Sequence, residues 1–249
     1  MPADSNRVVQ GLWIGPELSL LEQLSIASVL SNDHEYHLYV YDEVRNVPPG
    51  TLIKDGNEIL AASRIFQYKH SPSYAGFANF FRYKLLLERG GWWADMDTIF
   101  LRPFDFAADH VFATEIFKER EVVSSGIIKA PIGSKAMEYA WNVCQNKNPD
   151  ALKWGETGSR LISEAVSNYS LENFVVNHEV FCPVAYQDWH TVLEPDPQPL
   201  KAESYAIHLW NEKWRESNQD KNLTYPLSCI YEQLKRRYLP ALSSRASHF

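Results

Sequence analysis

The stretch from Phe77 to Leu101, FANFFRYKLLLERGGWWADMDTIFL, constrains the fold more than any other part of the chain. Phe77 to Glu88 has apolar side chains around most of a helical circumference, so that helix must be covered on most sides. Gly90-Gly91 supplies residues that take up positive φ and end a helix. Trp92 to Asp95 and Thr98 to Leu101 then read as strand on either side of an acidic pair, Asp95-Met96-Asp97, and Pro103 closes the segment. A helix this apolar, leading straight into a buried strand, belongs in a layered fold with helices packed on a sheet.

The flanking sequence fits that arrangement. Val8 to Ile14 reads as a first buried strand ending at Gly15-Pro16. Leu18 to Leu30 has helical spacing, and Tyr36 to Tyr41 reads as a second strand. This strand–helix–strand opening predicts a parallel α/β sheet. Val47 to Gly50 is a turn, Asp55 to Ala62 reads as a short helix, and Ile65 to Ser73 as a loop. Val111 to Ile116, Val122 to Lys129 and Tyr205 to Leu209 read as strands. Ser134 to Cys144, Thr157 to Tyr169 and Pro226 to Tyr238 read as helices, with an irregular loop through Pro195, Pro197 and Pro199. With 249 residues, 45% of them hydrophobic, the expectation is one α/β domain over residues 1–249. Its central sheet should be mostly parallel and flanked by helices.

Charge narrows the partners. A formal net charge of -7, from 24 basic and 31 acidic residues, argues against a nucleic-acid surface. A nucleotide ligand stays open, because a bound metal can bring positive charge locally. Cys144, Cys182 and Cys229 form neither a disulfide framework nor a zinc signature. The N-terminus has no basic start followed by an apolar run, and no stretch reaches the ~18 apolar residues of a membrane span. A cytoplasmic protein is expected, and in that setting the sequons at Asn168 and Asn222 are chance matches. Lys235-Arg236-Arg237, beside Tyr238 and Leu239, is the one local hint of peripheral contact with the inner face of a membrane. A solvated helix face explains it equally well.

The acidic pair carries the chemistry. Magnesium and manganese take hard oxygen ligands, often one or two carboxylates plus substrate phosphates. On an extended chain residues two apart point to one side. At the C-terminal end of a parallel strand they face the crevice where α/β folds bind ligands. An isolated Asp-x-Asp is also common as a solvated turn, but here apolar strands flank it on both sides.

Asn79-x-x-Arg82-Tyr83, Leu86, Leu87, Gly90-Gly91, Trp93 and Asp95-x-Asp97 together resemble the DXD-containing sugar-transferase families. These include initiating α-mannosyltransferases of yeast, α-1,4-galactosyltransferases, bacterial capsular polysaccharide transferases and the catalytic domains of clostridial glucosylating toxins. More weakly, Gln10 to Gly15 resembles their first strand, Gly155-Glu156-Thr157-Gly158 a Thr-Gly motif near the sugar, and His208-Leu209-Trp210 a C-terminal His-x-Trp.

The resemblance implies a GT-A-type, Rossmann-like domain. It implies metal-dependent transfer from a nucleotide-sugar donor, UDP-linked ahead of GDP-linked, to a glycan or lipid-linked saccharide acceptor. Manganese or magnesium would serve, and the anomeric configuration would be retained. Asp97 is then the direct metal ligand, Asp95 binds ribose or the metal through water, and His208 is a further ligand unless it is a satisfied core histidine. Leu12, Trp13 and Ile14 would meet the base and Trp93 would offer a stacking face. Arg82 and Asn79 would meet the donor sugar or phosphate, with Thr157 and Gly158 at a helix start near the sugar. Trp210 would donate its indole N–H to the diphosphate. Two departures alter the donor pocket, Asn79 where these families have Asp and Trp93 where they have Tyr.

An inverting enzyme would also need a carboxylate base, and Glu115, Glu156 and Asp188 are the candidates. Three other readings compete. A nucleotidyl- or phosphotransferase would use the same acids, but the chain has no Gly-rich lysine loop. A glycoside hydrolase needs two carboxylates ~5 to 9.5 Å apart, which adjacent positions suit poorly. A catalytically weak relative that only binds sugars is the non-enzyme reading, kept alive by Asn79.

Overall fold

The structure, a computed structural model, describes residues 4–240 of the chain. After one helical turn, α1 (Asp4–Arg7), the elements alternate as the opening sequence predicts. They run β1 (Val8–Leu12), α2 (Leu20–Ser31), β2 (Glu35–Val40) and β3 (Leu52–Asp55). Then come α3 (Ala75–Arg89), β4 (Gly91–Ala94), β5 (Thr98–Phe100), β6 (Val111–Phe117) and β7 (Arg120–Ala130). The chain ends with α4 (Lys135–Gln145), α5 (Ser159–Asn168), β8 (Ala206–His208), α6 (Asn211–Glu216) and α7 (Ile230–Tyr238).

Six strands form one mixed sheet in the order β3-β2-β1-β4-β7-β6. β3, β2, β1 and β4 run parallel, and β7 is antiparallel to both of its neighbours. Side chains alternate across this sheet into two cores. Trp92 and Ala94 of β4 pack with α2 and α7 on one face, while Trp93 packs with α3, α4 and α5 on the other. A strand buried on both faces explains why β4 is apolar throughout. The short β5 leaves this sheet and pairs antiparallel with β8.

α3 ends where its glycines allow. Gly90 has φ 63° and Gly91 φ 85°, and a side chain on Gly90 would meet the Ile132 backbone nitrogen at 2.8 Å. At α2, Ser19 and Glu22 form a capping box, which holds the chain turning from β1 into the helix.

Three local expectations are corrected. Asp55 to Ala62 is not a helix: β3 runs up to Asp55, and two 3-10 turns follow at Gly56–Glu58 and Ala62–Arg64. Asp55 caps the first of these turns by accepting the Asn57 N–H, but the Asn57 side chain accepts the Ala62 N–H, the donor a continuing helix would send to the Glu58 carbonyl. The last helix begins at Ile230 rather than Pro226, because Cys229 is extended at its N-cap. α6 was not foreseen; its start is set by Trp210 in the left-handed region at φ 55°.

Among the described residues no helix is long and apolar enough to cross a membrane. The basic cluster of α7 is largely occupied within the chain. Lys235 pairs with Glu232 at 2.6 Å and donates to the Leu223 carbonyl, and Arg237 donates to the Leu101 carbonyl. The three cysteines are free and buried.

His34 joins α2 to β2 and is held from both sides. Its Nδ1 lies 2.8 Å from the Asn6 carbonyl oxygen, and the Phe104 N–H donates to its Nε2 at 2.9 Å. These partners select a neutral ring with its proton on Nδ1. Burial keeps its pKa below the ordinary 6.5. The unfolded chain therefore binds a proton here at higher pH than the folded one. The stabilisation is complete above about pH 6.5 and is lost as pH falls through the lower folded value. In urea unfolding at pH 7.5 and 5, the stability gap between wild type and His34→Gln should narrow at pH 5. An unchanged gap would contradict this role.

Candidate active site

Asp95 and Asp97 do not lie on extended strand. They occupy a turn between β4 and β5, closed by the Thr98 N–H donating to the Asp95 carbonyl at 3.0 Å. The turn forms because β4 ends against β7 while β5 is drawn away to pair with β8. Met96 at its tip is buried in the core, and both carboxylates line the cleft described below.

The β5–β8 ladder completes the site. It pairs Thr98 with His208, and the Leu209 N–H donates to the Asp97 carbonyl at 2.9 Å. One ligand atom each from Asp95, Asp97 and His208 then lie within 4.8 Å of one another. Two carboxylates and an imidazole form an oxygen and nitrogen donor set that fits manganese and, less well, magnesium.

The electrostatics divide the two acids. Asp97 is 6% exposed, lies 3.0 Å from His208 Nε2, and accepts the Asn211 N–H at 2.6 Å. Burial pushes its pKa up, but His208 and that amide outweigh burial and hold it below the usual carboxylate range. Burial likewise works against protonating His208, and Asp97 overrides it, so the ring's pKa stands well above 6.5. Asp95 goes the other way: burial raises its carboxyl, and Arg82 opposes this only in part while Asp97 adds to it. Arg82 Nη2 lies 2.9 Å from Asp95 Oδ1, which also accepts the Trp93 indole N–H at 2.8 Å. Arg82 further donates to the Ser125 carbonyl and lies 4.9 Å from the Trp93 ring centre.

These groups sit in the floor of a cleft of about 910 Å3 along the ends of the central strands. Leu12, Trp13, Ile14, Arg82, Trp93 and Trp210 also line it. Asn79, Thr157 and Gly158 do not. They stand behind its wall, where Asn79 donates to Thr157 Oγ1 and accepts from Ser125 Oγ, both at 3.4 Å. Gly158, not Thr157, is the N-cap of α5, and no side chain caps that helix. The Trp210 indole N–H is taken by the Val184 carbonyl at 2.9 Å, so it is not free to meet a diphosphate.

Of the three candidate bases, only Glu115 lines the cleft. Glu156 pairs with Lys147 at 2.6 Å, and Asp188 is exposed on a 3-10 turn. Sequence reading did not find Trp154, Tyr186 or Arg215 in the cleft walls, since each comes from a loop or a helix too short for apolar spacing to report.

Gly126 of β7 lies against the acids. A β-carbon there would meet Asp95 Oδ2 at 3.1 Å and His208 Cε1 at 3.4 Å. Gly126→Ala should fold normally but displace the Asp95 carboxylate, lowering manganese affinity ~10- to 100-fold by analogy with other displaced ligand supports. Manganese titration followed by thermal shift measures this, and unchanged affinity would contradict the assignment.

Residues 20–118 match the family described as the glycosyltransferase sugar-binding region containing the DXD motif. Residues 144–246 match the alpha 1,4-glycosyltransferase conserved region. The chain belongs to the DXD-containing glycosyltransferases. Asp95-x-Asp97 is the DXD of this glycosyltransferase, and it falls inside the first matched region. Similar solved structures include the PaToxG glycosyltransferase, at 16% identity over 66% of this chain and 68% of that one, with a TM-score of 0.45. Two structures of a transferase, one a double cysteine-to-serine mutant, are 13% and 10% identical. They cover 67% and 68% of this chain and 86% of theirs, with TM-scores of 0.46 and 0.44. No curated protein sequence matches the chain.

Proposed function

We propose that this glycosyltransferase is metal-dependent and moves a hexose from a nucleotide sugar, UDP-linked ahead of GDP-linked, to a glycan or lipid-linked saccharide. The reading takes residues 1–249 as one GT-A-type catalytic domain acting in the cytoplasm, with the anomeric configuration retained. The observation that carries it is the convergence of Asp95, Asp97 and His208 in the floor of a cleft large enough for a nucleotide sugar. Retention and the preference for uridine rest on the family resemblance.

Asp95, Asp97 and His208 would hold manganese or magnesium, which supplies positive charge for a departing diphosphate. Arg82 keeps Asp95 in place and adds a fixed cation beside the same position. Leu12, Trp13 and Ile14 form apolar and aromatic walls that suit a base. The reading as a weak sugar-binding relative rested on Asn79. That amide is 5% exposed and bonded behind the cleft wall, so it does not argue against turnover.

The test is nucleotide release from a panel of UDP- and GDP-sugars with manganese and then with chelator. Release from one donor, abolished by chelator, is expected. No release, combined with no thermal shift from UDP or GDP plus manganese, would overturn the proposal.

A further inference from the structure

We propose that the β6–β7 end of the cleft is the acceptor subsite, and that Glu115 there binds the hydroxyls of a neutral, hexose-terminated saccharide. The inference rests on the transfer reading above and specifies its second substrate.

β4 stands between β1 and β7 in the sheet, so the Asp95–Asp97–His208 group at its end separates the side of the cleft lined from β1, here called one lobe, from the side lined from β6 and β7, the other. Leu12, Trp13 and Ile14 line the lobe beyond β1, while Glu115, Phe117 and Val122 line the lobe at β6 and β7. A donor held at its diphosphate extends its base one way and its sugar the other. The apolar and aromatic lobe suits the base, and the sugar then points towards Glu115.

The chemistry of Glu115 fits that place. Its carboxyl accepts from Ser124 Oγ at 2.6 Å and from Ser159 Oγ at 3.4 Å, and among the described residues no Lys, Arg or His lies within ion-pair distance of it, the His208 ring acting on it only from further off. Burial pushes its carboxyl above the usual range. A half-buried acid held by hydroxyls, with no cation in contact, recovers only part of its desolvation cost. Repelled by phosphate, it is well suited to sugar hydroxyls, which both donate and accept.

The position of a β-carbon on Gly126 is 3.4 Å from Ser124 Oγ, 3.4 Å from His208 Cε1 and 3.1 Å from Asp95 Oδ2. Glu115, bonded to Ser124, is thus the next acid beyond the ligand group on this side. The lobe also has an aromatic ledge. Phe117 is 42% exposed and its ring centre lies 5.9 Å from that of Tyr186, an arrangement on which the apolar face of a hexose can rest.

The experiment compares wild type, Glu115→Gln and Phe117→Ala, using the donor that wild type hydrolyses and a panel of glucose- and galactose-terminated oligosaccharides. The readout is the ratio of saccharide transfer to donor hydrolysis, with UDP–manganese thermal shift confirming a folded, loaded protein. Loss of a charged hydrogen bond should lower the ratio for Glu115→Gln about 10- to 100-fold, mainly through a higher acceptor KM. Phe117→Ala should lower it by a smaller factor. A ratio equal to wild type in both variants overturns the inference, whether or not total turnover falls. A wild type that hydrolyses donor but glycosylates no panel member overturns the acceptor class. A wild type that neither hydrolyses nor binds donor overturns the transfer reading instead.

Discussion

Asp97→Asn is expected to abolish metal-dependent turnover while leaving the fold intact. Asparagine has the same shape, its Oδ1 can still accept the Asn211 N–H, and its Nδ2 can donate to His208 Nε2 once that ring carries its proton on Nδ1. Both buried contacts are therefore kept, and the melting temperature should move by only a few degrees. The proposed anionic ligand is lost, and with it the charge that would hold a divalent cation beside a departing diphosphate. Removing one such electrostatic group typically costs about 100- to 1,000-fold in turnover. Nucleotide release with manganese and the manganese-induced thermal shift should fall together. A folded Asp97→Asn protein with normal turnover would sink the proposed site.

Arg82→Met should damage both stability and activity. Arg82 is 3% exposed and pairs with Asp95, whose side chain is 28% exposed. Removing the cation leaves a largely buried carboxylate uncompensated and orphans the Ser125 carbonyl. Breaking a buried pair costs about 3–5 kcal/mol. Solvent reaching Asp95 reduces this to roughly 2–3 kcal/mol, a fall in melting temperature of about 4–12 °C for a chain of this size. The Asp95 carboxyl, already raised by burial, loses the partner that opposed the rise, so metal affinity near neutral pH should drop as well. Arg82→Lys should recover part of the stability but not the two-pronged contact with Asp95 and Ser125. Urea unfolding together with manganese titration separates the two effects. An Arg82→Met protein as stable as wild type would show that the pair contributes nothing.

Much of the architecture is legible in local sequence. The apolar circumference of Phe77 to Glu88, the Gly90-Gly91 break and the short apolar run of Val8 to Ile14 depend on neighbours a few residues away, so the local pattern reports them. The helix expected over Asp55 to Ala62 failed because the Asn57 side chain takes the Ala62 N–H, a competition that apolar spacing does not record. β3 was missed because Leu52 and Ile53 are exposed edge-strand residues without an alternating pattern.

The site divides in the same way. Asp95-x-Asp97 as a candidate metal site follows from residue type, spacing and apolar flanks, all of them local. The turn that presents the pair, the arrival of His208 through the Thr98 ladder, and the withdrawal of Asn79 and Thr157 behind the wall depend on distant segments meeting. So does the choice of Glu115 from three acids that were equivalent on paper. A chain states which groups it carries and how each short stretch prefers to bend. Which of those groups share a cleft is set by long-range strand pairing and burial, where many weak contacts act together and no single residue carries the signal.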